Sequence, residues 1–501
     1  LTQNAGAATS HYVTSWRPIP NLGIDLVVPP LARLLGVYEA GRLFLALCLL
    51  TLAAGICALH RAAHGTLGAW PIVSLLILYS LPLAWGFLNF YLSVGLALLL
   101  FAAWIARRRP VTPLALLLFN LAVAALYLTH LFGAALYGVC VAVSAAQAIF
   151  ASRDWRLRNL LHHAVRTAGQ FGLVVLLYAG LRLLWANDVA PLDLGSWSGD
   201  LLSKVSALGA AFLFQGHWSE FAVLVLLLLV LLAAAVTGRL AVAPALRWHL
   251  PVFLVLTLAA PAVYRGLYLD ARLGFVLACL AIAALRPAIS GKLVTGGFLA
   301  AALALGTAKS LAVSDAWSLA AEDYREYRAA LQRIPAGAKV LSAHDHPGAT
   351  AELSYSVRWR MAILAFSAEI ARAYTYRNLA SLAVIERDAF VPSLFTYPSA
   401  QPIQAVSRLR RIDAVQPARR LTPAHLAAAA DPRGRLLLQQ AAEQHNERLF
   451  WIDWPRDFDY VIVFNYHEGP AASPLPGRLS RVAAGSFFDI YQVRRDDPGA
   501  R

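Results

Sequence analysis

Of the 501 residues, 59% are hydrophobic and 14% charged, with a net charge of +15 and a mean hydropathy of +0.58. That composition belongs to a multi-pass membrane protein and excludes an ordinary soluble enzyme. The positive charge does not signal nucleic acid: residues 1–311 hold 20 Lys/Arg against 8 Asp/Glu, whereas 312–501 hold 23 against 20. The excess therefore sits in the apolar part, where basic loops set orientation.

The chain opens on a stretch too polar and proline-broken to cross a bilayer, His11–Gly41. Pro29-Pro30 predicts the start of a short helix, since proline is tolerated in a first turn. Leu31, Leu34, Leu35 and Tyr38 then recur at i, i+3, i+4 and i+7, with Arg33 and Glu39 off that face. Such a helix either lies along a membrane surface or packs on a bundle. Ahead of it stand His11, Trp16, Arg17, Asn21 and Asp25. The first residue is Leu and the single methionine is Met361, so we expect the true N-terminus, with one more span, upstream.

Ten apolar runs follow, at about 43–59, 67–85, 88–105, 111–128, 131–150, 168–185, 219–236, 248–264, 269–285 and 293–312. Alternate loops after the first run carry 12 basic residues: Arg61, Arg107, Arg108, Arg109, Arg153, Arg156, Arg158, Arg166, Arg239, Arg247, Arg286 and Lys292. The opposite loops carry Lys204, Arg265 and Arg272. The positive-inside rule makes the first set cytoplasmic and places both 1–41 and the C-terminal part outside. Cys48, Cys57, Cys140 and Cys279 all lie in apolar runs and form neither a disulfide framework nor a metal spacing.

From about Ser314 the composition becomes that of a soluble mixed α/β domain. A helix is predicted from Asp315 to Pro335. Strands are predicted at 338–343, 458–466 and 487–495, and helices at 421–430 and 435–447. The cluster His344-Asp345-His346 is either a metal pair or a polar loop after a strand. The expected domains are thus 1–41, an extracytoplasmic segment with a surface helix; 42–312, the transmembrane bundle; and 313–501, an extracytoplasmic α/β domain.

The polar residues of the apolar part collect at one edge. Trp85, Asn89 and Tyr91 lie between the second and third runs, and Tyr127, Thr129 and His130 between the fourth and fifth. Asp188, Asp193, Asp200, His217 and Glu220 lie in the sixth-to-seventh loop, and Arg265, Asp270 and Arg272 follow the eighth run. With Arg17 and Asp25 these groups are expected to meet in one outer cavity. The three aromatics Trp85, Tyr91 and Tyr127 also suit a plain interfacial belt. Asp270 is expected to neutralise one neighbouring arginine and leave the other for phosphate, which guanidinium binds bidentately.

The arrangement resembles the GT-C superfamily of membrane glycosyltransferases. The likeness rests on WRPIPNLGIDLVVPPLARLLGVYEAGRLFLAL as an amphipathic first outer loop, GFLNFYLSVGLAL and THLFGAAL, about ten spans, and a C-terminal α/β domain. The resemblance implies a bacterial inner-membrane enzyme that moves a sugar from a polyprenyl-phosphate donor to a glycan, lipid or protein acceptor. The family's catalytic carboxylate lies early in the first outer loop. Asp25 is the sole carboxylate before Glu39, yet it does not match the family's motif, and the catalytic residue is also consistent with a position upstream. Substrate contacts are expected from His11, Arg17, Asn89, His130, Arg265, Asp270 and Arg272. No nucleic-acid partner is expected, and dependence on a divalent metal stays open. A lipid or glycan flippase and a non-catalytic envelope-assembly protein are the alternatives.

Overall fold

The computed structural model describes residues 11–107, 112–185, 201–214, 218–261, 268–345, 378–392, 394, 401–414, 421–444, 448–465 and 476–495. In chain order they begin with strand β1 (Tyr12–Thr14) and helices α1 (Gly23–Leu35) and α2 (Val37–His64), a 3₁₀ segment Trp70–Ile77, α3 (Leu81–Ala84) and α4 (Leu88–Ala106). Next come α5 (Pro113–Thr129), α6 (Leu131–Ser152), α7 (Leu157–Ala168), α8 (Gly172–Leu184), α9 (Leu201–Gly209) and α10 (Trp218–Val236). Strand β2 (Leu240–Val242), α11 (His249–Ala259), α12 (Leu269–Ala284), β3 (Leu285–Pro287) and α13 (Lys292–Leu331) complete the helical part. Strands β4 (Val340–Asp345), β5 (Ile403–Ala405), β6 (Tyr460–Asn465), β7 (Leu479–Ala484) and β8 (Phe488–Val493) follow, with short helices between them.

The chain divides into a helical unit, chiefly Arg17–Ser314, and an α/β unit that takes up the described residues 11–16 together with those from Asp315 onward. The described parts of all ten apolar runs fall mainly on helical segments. Among the described residues, six helices are long and apolar enough to cross a membrane: Val37–His64, Leu88–Ala106, Leu131–Ser152, Leu157–Leu184, Ser219–Val236 and Lys292–Leu331. Trp70–Ala84, Pro113–Thr129 and Pro244–Ala259 are apolar but shorter. The backbones of α2 and α4 touch at Gly55 and Gly95: a Cβ on Gly55 would lie 2.6 Å from the Gly95 carbonyl oxygen. Small residues allow that approach where no hydrophobic force drives apolar helices together.

The loops of the helical unit sort into two ends. At one, β2 pairs antiparallel with β3, Arg286 Nη1 donates to Thr66 Oγ1 (3.2 Å) and Gln147 Nε2 donates to the Pro244 carbonyl (2.6 Å). At the other, Asn21 N donates to the Leu128 carbonyl (3.2 Å), Leu81 N donates to Ala210 O (3.1 Å), and Trp85 stacks on Tyr268 at 4.1 Å. These are the two loop sets that the arginine distribution separates.

Two predicted boundaries move. Helix α1 begins at Gly23, six residues ahead of Pro29, so both prolines lie inside it, and Tyr38 belongs to α2 beyond the break at Gly36 (φ 82°). The span ending near 312 and the helix expected from Asp315 are one uninterrupted helix, α13. In VSDAWSLAAEDYREY no glycine or proline interrupts the pattern, so nothing local ends the helix.

The α/β unit is built on a sheet of order β4-β6-β8-β7, with β4 parallel to β6 and the remaining pairs antiparallel. The strands expected at 338–343, 458–466 and 487–495 are β4, β6 and β8. The predicted helices near 421 and 435 are Pro423–Ala430 and Pro432–Gln444. Strand β7 escaped the reading because its exposed, bulged edge lacks a clean alternation. Tyr327, Leu331, Val340, Ile462, Phe464 and Ile490 fill one face, and Tyr12, Leu341, Trp454, Phe458 and Val461 the other.

Candidate functional site

The site grows from the start of α1. Asn21 takes a left-handed backbone (φ 99°), which asparagine tolerates better than most residues. Asn21 N and Leu22 N then both reach the Leu128 carbonyl at the end of α5. The free amides of the first turn of α1 have no side-chain cap of their own. Asn89 supplies one from α4: its Oδ1 accepts from Ile24 N at 2.7 Å, while its Nδ2 donates to Asn21 O and Oδ1 at 2.9 Å each. Asn89, expected as a substrate ligand, is thus occupied in fastening α1.

That fastening holds Asp25 in the first turn. Burial pushes its carboxyl up to about 6, against its own backbone N–H, and its Oδ2 is buried with no hydrogen-bond partner among the described residues. Because residues 29 and 30 are proline, the Asp25 and Leu26 carbonyls receive no i→i−4 bond.

His130 turns the corner between α5 and α6. Its backbone N donates to Leu126 O (2.9 Å), and its Nδ1 accepts from Phe132 N (3.1 Å). The neutral ring therefore carries its proton on Nε2. Burial, with the nearby Arg272 charge, pushes its pKa down to about 3, so the imidazole is neutral at physiological pH. The Arg272 guanidinium sits 4.1 Å over the Phe87 ring and 5.5 Å from that of Phe90, whose ring meets His130 edge-on at 6.2 Å. Asn89 is the residue before Phe90, so one short stretch of α4 both fastens the start of α1 and contacts His130 and Arg272.

Other expected members are placed differently. Asp270 is fully buried and accepts from Lys204 Nζ at 3.1 Å, with Lys204 also donating to the Ala260 carbonyl. A partner of Asp270 is thus a lysine from α9, which the sequence reading did not foresee. Arg17 lies 6.0 Å from the Trp185 ring, beside Ile19, Leu22 and Leu181. His11 belongs to the α/β unit: its Nε2 pairs with the Gly337 carbonyl at 2.8 Å, and its ring meets Phe390 edge-on. His11 was expected as a substrate contact, and in the structure its described contacts are these two. Arg265, Asp188, Asp193, Asp200, His217 and His346 lie outside the described residues.

Tyr91 and Tyr127 are buried, not a belt at an interface; Tyr91 bonds Ser80, and Trp85 packs on Tyr268. Glu220 accepts from Phe214 N with both oxygens and pairs with Lys309 Nζ at 3.4 Å. His344 stacks on Phe464, and among the described residues no three His, Cys, Asp or Glu side chains form a metal-sized group. Phe87 and Phe90, the platform under Arg272, were not singled out from the sequence; their one signal is their position flanking Asn89.

Comparison with known proteins returned no match: no family model, curated protein or solved structure aligns with the chain. What is established is a largely helical protein with helices compatible with a membrane and a small sheet-containing unit.

Proposed function

We propose that the protein is a multi-pass glycosyltransferase of the bacterial inner membrane. It would move a sugar from a polyprenyl-phosphate donor to an acceptor at the outer face, where its α/β unit also lies. The observation that carries this reading is Asp25: a partly buried carboxyl with a raised pKa near 6 and an oxygen that has no hydrogen-bond partner among the described residues, in a helix turn fastened to the same α4 stretch whose Phe90 contacts a neutral histidine and an arginine. A base poised near the working pH is what deprotonation of a hydroxyl requires.

In the proposed reaction the acceptor oxygen bonds to the anomeric carbon as the bond from that carbon to the phosphate oxygen breaks. The acceptor proton passes to Asp25, and the electron pair leaves with the polyprenyl phosphate. Arg272 offsets the charge appearing on that phosphate, and His130 Nε2–H donates to one of its oxygens. The apolar flank of α1, with Leu26, Leu34 and Leu35 exposed, lies along the prenyl chain.

A transporter is expected to carry ionisable groups along its pathway. Here Lys204–Asp270 and Lys309–Glu220 are each tied to backbone groups as well, which suits a fixed scaffold. The test is transfer from a polyprenyl-phosphate sugar by purified protein in liposomes. Glycosyl transfer lost in Asp25→Asn supports the enzyme. Undiminished transfer in that variant removes Asp25 as the base, and lipid movement without transfer favours a flippase.

A further inference from the structure

The opposite end of the helical unit carries a group of side chains with no part in the reaction above. The last carbonyls of α12 are capped from α2 and the 3₁₀ segment. Trp70 Nε1 donates to Ile282 O, His60 Nδ1 pairs with Ala283 O and His64 Nε2 with Ala284 O, each at 3.1 Å. A ring nitrogen facing a carbonyl carries the proton, so the neutral His60 ring presents Nε2 as an acceptor. His60 is fully buried, and that Nε2 has no hydrogen-bond partner among the described residues. Arg286 stands close by, bonded to Thr66 Oγ1 and without a carboxylate partner among the described residues. Gly68 marks the gap between them: a Cβ there would lie 3.8 Å from Arg286 Nε and 4.0 Å from His60 Nε2. Helix capping accounts for three ring nitrogens. It leaves the acceptor of His60 and the charge of Arg286 without a role.

We propose that the gap beside Gly68, between Arg286 and His60, binds a phosphoglycerol-type head group, with the phosphate on Arg286 and a hydroxyl donating to His60 Nε2. Guanidinium suits phosphate, and basic pockets between membrane helices hold anionic head groups. A phosphate diester without a hydroxyl leaves Nε2 unsatisfied, and a choline head group brings a second cation to Arg286. The lipid source rests on the membrane placement proposed above; soluble glycerol 3-phosphate offers the same groups.

The experiment is native mass spectrometry of the full chain in detergent, with three probes. These are dioleoyl phosphatidylglycerol, dioleoyl phosphatidylethanol (equal charge, no hydroxyl) and glycerol 3-phosphate. Phosphatidylglycerol is expected to bind about tenfold more tightly than phosphatidylethanol, a difference of about 1.4 kcal/mol. Arg286→Ala should weaken both lipids. His60→Asn, whose side-chain amide can keep the bond to Ala283, should abolish only the preference. Gly68→Ala adds a methyl that meets ordinary van der Waals contacts, so it should weaken phosphatidylglycerol at unchanged Tm. If Arg286→Ala does not fold, Gly68→Ala carries the test. Equal binding of the two lipids to wild type, or equal losses in Arg286→Ala and the control Arg239→Ala, would overturn the proposal. Glycerol 3-phosphate competing as well as the lipid supports the head-group chemistry and overturns the lipid source. Glycosyl transfer is read separately, so failure here is distinct from failure of the Asp25 reading.

Discussion

At the scale of the residue, Asp25 and His130 make opposite use of burial. Burial raises the Asp25 carboxyl from 3.8 to about 6, so the fold favours its protonated form. Stability contributed by that preference is present below the unfolded value and is lost as pH rises to about 6. Base catalysis runs the other way and appears as the carboxylate forms. His130 is neutral from about pH 3 upward and adds no inflection. The expected kcat/KM profile for sugar transfer between pH 4.5 and 8 is therefore a single acidic limb near 6. Asp25→Asn should lose about a hundredfold or more in rate while its Tm at pH 7 is kept or raised. A limb that persists in Asp25→Asn would assign the titration to another group.

Arg272 offers the second test at this scale. Arg272→Ala should cost about a hundredfold in transfer, the usual loss when a donor aimed at developing charge is removed. Lysine should recover only part, because it lacks the planar fork that both stacks on Phe87 and meets phosphate. Rates compared at equal amounts of folded protein decide the point. Loss of folded protein in Arg272→Ala, with no change in specific activity, would make the stacking its whole role.

At the scale of the element, α1 is held by a foreign amide. Asn89→Ala strands Ile24 N–H and the Asn21 carbonyl, at about 1–3 kcal/mol for each buried group left unsatisfied. Hydrogen exchange should show residues 21–28 losing protection while α4 keeps its own. Unchanged exchange would mean that the Leu128 contacts hold α1 by themselves. In the α/β unit, Tyr12 OH donates to Val391 O (2.9 Å) and accepts from Val391 N (2.8 Å), both inside the core. Tyr12→Phe should lower the stability of that unit by about 2 kcal/mol, read as a fall in the denaturant midpoint. An unaltered midpoint would show that β1 adds nothing.

At the scale of the whole molecule, the arginine division makes a topological prediction. In a cysteine-free background, Ser152→Cys should resist an impermeant thiol reagent added outside intact cells, and Ser407→Cys should react. Equal labelling of the two would sink the proposed orientation. The two-ended sorting of loops within the helical unit supports it: Thr66 meets Arg286 at one end, and Asn21 meets Leu128 at the other.

The sequence by itself determined whatever depends on neighbours along the chain. Apolar runs foretold helical segments, and β-branched and aromatic alternation foretold β4, β6 and β8. Each of these follows from a local period and from the need to satisfy the backbone. Pro29-Pro30 misled as a start signal because Asn21, Leu22 and Ile24 already find partners on Leu128 and Asn89, which sets the helix going six residues earlier. Only the tertiary structure decided partners. It gave Asp270 to Lys204, Asn89 to α1 and His11 to Gly337, and it put Arg272 over Phe87. The residues of these pairs stand 66, 68, 326 and 185 positions apart or nearly so, and no local period carries that information. Burial then decided which groups stay available for chemistry. A charge or amide taken out of water takes the best partner within reach, and among the described residues Asp25 Oδ2 was left without one.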